Sequence, residues 1–107
     1  MSTEFKYKYH PPENQSAVWT AKFDFFDIHL LRDICGMVGQ NLKILEKNTY
    51  VQFIQSAQKI LIRGEQDKVE KAVKVFLQLL SVLESGASLH PAEIDQSSRM
   101  LMRETGV

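Results

Sequence analysis

"GMVGQNLKILEKNTYVQFIQSAQKILIRGEQDKVEKAVKVF", residues Gly36 to Phe76, changes its apolar rhythm from helical to alternating and back, with a glycine at each change but one. Two glycines three apart, Gly36 and Gly39, bracket Met37 and Val38. From Gln40 to about Lys47, Leu42 and Leu45 sit three apart, the spacing of one helix face. "EKNTY" then closes a turn before strand-type residues begin. "YVQFIQ" and "KILIRG", separated only by "SAQ", read as neighbouring strands. Beyond Gly64, Asp67 and Glu70 have the spacing of a capping box, and Val69, Ala72, Val73, Phe76, Leu80 and Leu83 continue one stripe of a long amphipathic helix.

Upstream, "AVWTAKFDF" alternates, with Ala17, Trp19, Ala21 and Phe23 on one face, and predicts a strand buried on one side. Asp27 is placed to cap a short helix carrying Ile28, Leu31, Ile34 and Cys35, which Gly36 ends. Residues 1–16 are polar and contain Pro11 and Pro12, which oppose regular structure. This segment is expected to be a polar tail or an edge strand; its "FKYKYH" alternates aromatic and basic residues, a pattern that also suits contact with RNA. Downstream, the long helix ends near Gly86, and Pro91 opens a weaker amphipathic segment with Ile94, Ser97, Ser98 and Leu101 on one side. The expectation is an α+β domain over 17–86, ordered β-α-α-β-β-α, with a three-stranded sheet packed on helices. Residues 87–107 then form an extra C-terminal helix or a linker to an absent domain.

A chain of 107 residues with 44% hydrophobic content has room for one core and little else. Its 13 basic and 13 acidic residues cancel, so a polyanion would be met by a local patch, not by net charge. One cysteine, Cys35, excludes an internal disulfide. With no apolar run of membrane-spanning length and no signal pattern, no membrane contact and a cytoplasmic location are expected. His10, His29 and His90 lack partners at metal-ligand intervals. Cys35, set in an apolar pattern, reads as a core thiol, not a nucleophile. No metal, cofactor or catalytic residue is expected, and the chain is read as no enzyme.

The double glycine has two readings. Gly36 can be a helix terminator and Gly39 a site of close helix crossing. Alternatively, the loop presents bare backbone N–H groups beside a helix N-terminus, a place that suits phosphate. The ordered set from Val18 to about Leu83 resembles a KH domain: a GXXG loop between two helices, a helix carrying Leu42, Lys43 and Glu46, two strands, Gly64, and a helix opened by Val69 and Ala72. It resembles more closely the KH-like N-terminal domain of the PhoH family of P-loop ATPases, through Gly36, Asn41 to Glu46, Arg63-Gly64, Val69 to Ala72 and Ser85 to Leu89. In that family an ATPase domain follows. No G-x-x-x-x-G-K-[ST] occurs here, so the chain is expected to be an excised domain or a stand-alone relative, without nucleotide hydrolysis.

The resemblance implies weak binding of single-stranded RNA, the loop clamping the backbone and an apolar groove receiving bases. The nucleic-acid-binding residues it implies are Gly36, Met37, Val38, Gly39, Gln40, Leu42 and Phe53, with Val51 and the strand edge near Ile54 completing the groove. Lys43, Lys47, Lys59 and Arg63 add charge, although an ordinary solvated surface explains those four equally well. KH loops that bind nucleic acid usually carry a cation between their glycines; Met37 and Val38 supply none. The alternative is a protein-interaction or oligomerisation module that uses this apolar tip and the C-terminal helix, Met100 to Met102 included, to dock a downstream ATPase domain or another copy.

Overall fold

The computed structural model describes residues 5–105. Strand β1 spans Tyr7–Gln15 and β2 spans Val18–Phe25; α1 is Ile28–Cys35 and α2 is Gln40–Thr49, with one 3-10 turn, Met37–Gly39, between them. Strands β3, Gln52–Ser56, and β4, Lys59–Gly64, precede the long α3, Gln66–Glu84, and the final α4, Pro91–Thr105. The sheet is antiparallel with order β1-β2-β4-β3. It therefore has four strands, not the expected three.

The added strand lies in the segment read as a polar tail or an edge strand, and it is an edge strand. Tyr7 and Tyr9 alternate with Lys8, and their rings lie 5.8 and 5.0 Å from the Phe23 ring, so aromatic packing offsets the unfavourable residues. Pro11 and Pro12 fall where the register slips between His10 and Glu13. At an irregular edge the missing N–H groups cost little. Gln15 pairs with Val18 around Ser16 and Ala17, at φ 54° and 69°. Two positive φ values give the turn whose twist matches the strands it joins.

On the inner sheet face, Ala21, Phe23, Phe25, Phe53, Ile60 and Ile62 are buried, and they meet Leu30, Leu31 and Ile34 of α1, Leu42 and Leu45 of α2, and the stripe of α3. Phe76 lies at the centre, edge-on to Phe23 at 4.8 Å and 5.6 Å from Phe53. The helix α3 begins at Gln66, with Glu65 as N-cap and no side-chain capping bond, so the expected Asp67–Glu70 capping box does not form. Asp67 sits inside the first turn, where its charge still favours the helix dipole. At α1 the expected cap holds: Asp27 Oδ1 accepts from the N–H groups of His29 at 2.8 Å and Leu30 at 3.2 Å.

Residues 91–105 are joined to the same core. Ile94 and Ser98 are fully buried, and Asn48 of α2 donates Nδ2 to Ser98 Oγ at 2.8 Å, Asp95 Oδ1 at 2.9 Å and the Asp95 carbonyl at 3.3 Å. None of the described helices is long and apolar enough to cross a membrane.

Candidate functional site

Helix α1 ends where the Gly36 N–H donates to the Arg32 carbonyl at 2.9 Å. Gly36, at φ 75° and ψ 178°, then swings the chain outward. A Cβ there would stand 2.8 Å from the Asn41 side chain, in a conformation that side-chain-bearing residues avoid. Gly39, at φ 69°, is also left-handed, but a Cβ on it would meet nothing within 4 Å. Gly36 is thus demanded by packing and by backbone; Gly39 by backbone alone, and it leaves open space above the loop.

Between them Met37 is 82% and Val38 92% exposed. Val38 holds φ 54°, a conformation that is an outlier for a β-branched residue. The tip is therefore apolar, solvent-facing and strained. No side chain caps the start of α2, so first-turn N–H groups lack the usual side-chain acceptor. Just inside, Asn41 is 2% exposed; it donates Nδ2 to the Asp33 carbonyl at 3.4 Å, while its Oδ1 has no partner among the described residues.

Two depressions flank the loop. One, of about 480 Å³, runs between α1 and the β3–β4 hairpin and is lined by Ile28, Leu31, Arg32, Cys35, Gly36, Val38, Gly39, Gln55, Ala57 and Gln58. The other, of about 380 Å³, includes Arg32, Asp33, Gly36, Met37, Gln40 and Asn41 with Leu89 and Pro91. Arg32 borders both. It is the cation built into this site, and it lies one helical turn before Gly36, where following the exposed face of α1 would have found it. The Cys35 thiol, buried at the groove wall, is pushed up to about 11 by desolvation, the opposite of a reactive thiolate.

Of the residues expected to bind nucleic acid, Gly36, Met37, Val38, Gly39 and Gln40 are together at the loop, and Lys43 and Lys47 are exposed on α2. Leu42 and Phe53 do not line a groove: they are 5% and 6% exposed and belong to the core, as does Val51. The apolar spacing that selected them is the spacing of burial. Lys59 and Arg63 alternate with the fully buried Ile60 and Ile62, so they lie on the sheet face turned away from the helices. That open face also carries Lys22, Asp24 and His10, whose Nε2 is 2.7 Å from Asp24 Oδ2. Burial pushes the Asp24 carboxyl up, but the His10 hydrogen bond and the charges of Lys22 and Lys59 prevail and hold it below its usual value. The proposed four-cation patch is therefore divided between two surfaces. Among the described residues, no cluster of His, Cys, Asp and Glu is arranged to hold a metal.

No family model matches the chain, and no curated protein does. Among solved structures, it is similar to a protein of unknown function from Aeropyrum pernix, with a TM-score of 0.60 and 14% identity over 86% of this chain. The match spans 50% of that protein's length. At this identity the likeness speaks for the fold alone.

Proposed function

We propose that this chain is a KH-like module that holds single-stranded nucleic acid, RNA first, weakly and without catalysis. The observation that carries this reading is the open glycine loop: free space above Gly39, an outward tip, an uncapped helix start, and an adjoining groove. The order β2-β4-β3, with α1 and α2 inserted between the first two of these strands in the chain, supports the KH-like part. The backbone amides of Met37 and Val38 meet phosphate, those of Gly36, Gly39 and Gln40 being bonded to the carbonyls of Arg32, Gly36 and Met37, and the groove walled by Ile28, Arg32 and Gln55 receives a base. With Arg32 and Lys43 as the nearby cations and none between the glycines, affinity is low. Such a module fits beside a PhoH-like ATPase domain in a longer protein.

A second reading rests on the tip itself: two large apolar side chains exposed side by side suit docking to another protein surface. Titrating labelled protein with a short single-stranded RNA at two salt concentrations separates the two. Nucleic-acid binding predicts amide shifts over Gly36 to Lys43 that weaken as salt rises, and their loss in a Met37→Asp/Val38→Asp variant. Shifts that depend on protein concentration and ignore RNA would establish docking instead.

A further inference from the structure

On the far side of α2 from the loop, a depression of about 460 Å³ is lined by Asn48, Tyr50, Arg99, Met102 and Arg103. Its volume falls within the range of about 300–1,000 Å³ usual for small-molecule sites. Its walls are fixed, because the three acceptors of Asn48 Nδ2 all belong to α4. Tyr50 occupies the left-handed position that ends α2, at φ 61°, yet it is 73% exposed. Glycine suits that position far better, and an outward ring gains little from burial. Nothing in the core explains a tyrosine here.

The surroundings are cationic in a chain of zero net charge. Arg99 and Arg103 line the depression, and Arg99 is 3.0 Å from Asp95 Oδ2. The Asn48 hydrogen bond, followed by the charges of Arg99 and Lys47, outweighs burial and holds the Asp95 carboxyl below its usual value. Lys68 stands over the Tyr50 ring at 5.8 Å and is itself paired with Glu65 at 3.0 Å, so among the described residues Arg103 and Lys47 carry the uncompensated charge. An aromatic platform bordered by arginines matches a planar ring joined to a phosphate: the ring stacks on Tyr50 and the guanidinium groups take the anion.

From these observations we propose that the Tyr50–Arg99–Arg103 pocket binds a nucleoside 5′-monophosphate unit, as a free nucleotide or as one residue of a strand. This site is separate from the glycine loop and does not depend on it. The probes are adenosine monophosphate, ribose 5-phosphate and a single-stranded octanucleotide, followed by the ring resonances of Tyr50 and the Nε–H signals of Arg99 and Arg103. Adenosine monophosphate is expected to move all three, and ribose 5-phosphate to bind about tenfold more weakly because it cannot stack. Tyr50→Gly should lower nucleotide affinity about tenfold while the thermal midpoint holds or rises, since glycine relieves the left-handed backbone. Arg103→Gln should weaken binding and flatten its salt dependence.

The Met37→Asp/Val38→Asp variant should leave nucleotide binding at Tyr50 unchanged, which keeps this test distinct from that of the loop. An octanucleotide that moves Tyr50 assigns the pocket to a strand; one that leaves Tyr50 still while the mononucleotide moves it assigns the pocket to free nucleotide. The proposal is overturned if Tyr50→Gly binds the mononucleotide as the wild type does, if ribose 5-phosphate matches it, or if no Tyr50 shift is produced.

Discussion

Gly36 and Gly39 look alike in the sequence, and the structure separates them. Gly36→Ala brings its Cβ against Asn41 as well as into an unfavourable backbone region, whereas Gly39→Ala meets only the backbone term. We expect Gly39→Ala to cost about 1–2 kcal/mol and Gly36→Ala measurably more, by urea denaturation of each variant. Val38→Gly is expected to stabilise the fold by about 1 kcal/mol, because it releases a β-branched residue from positive φ; an unchanged or lower unfolding midpoint would show the strain is not there. Cys35 gives a pH prediction. Its folded value of about 11 lies above the ordinary thiol value of 9.0 because burial disfavours the thiolate, so the folded state holds the proton more tightly. The associated stability is complete below about pH 9 and is lost as pH rises toward 11, by about 2–3 kcal/mol at full effect. Urea titrations at pH 8 and above about pH 10 measure this loss, and Cys35→Ala should remove that part of it. Neither Val38's backbone nor Asn41's orphaned oxygen could be read from the chain, since both follow from how the loop seats on α1.

Among the elements, the helices and β2 to β4 were legible because long runs of one period leave little choice. The first strand was legible only as one of two alternatives, edge strand or tail: two prolines weigh against the alternation of Tyr7 and Tyr9 until the ring of Phe23 is known to lie beneath them. Ser16-Ala17 also lacks the Asn-Gly signature that announces such a hairpin. Those prolines have an expected role at the exposed edge, where they leave no N–H to recruit another strand. Pro11→Val/Pro12→Val should therefore raise light scattering on concentration while leaving the helical circular dichroism in place. At α4, Asn48→Ala removes the polar fastening to Asp95 and Ser98. Amide exchange in α4 should then speed up well before that in α3, whose hold on the core is apolar.

The molecule as a whole has two unlike sides: helices with the glycine loop, and a sheet face bearing Lys22, Lys59, Arg63 and the His10–Asp24 pair. Apolar periodicity predicts that there is a buried face and an open one, but it ranks Leu42 and Phe53 as groove residues as readily as core residues. Only the packing of α2 over β3 decides between them. Arg32 was legible as an exposed cation one turn before the glycine that ends α1; its place beside both depressions follows from the packing. The order of the strands also bears on how the molecule assembles. Phe23 pairs with Ile60, so the central seam of the sheet cannot close until both helices and the loop between them have been gathered into the enclosed span. Conformational search across that span should set the folding rate, slower than local helix formation. Changes that stiffen the glycine linkage are then expected to register in refolding kinetics even where they leave equilibrium stability alone.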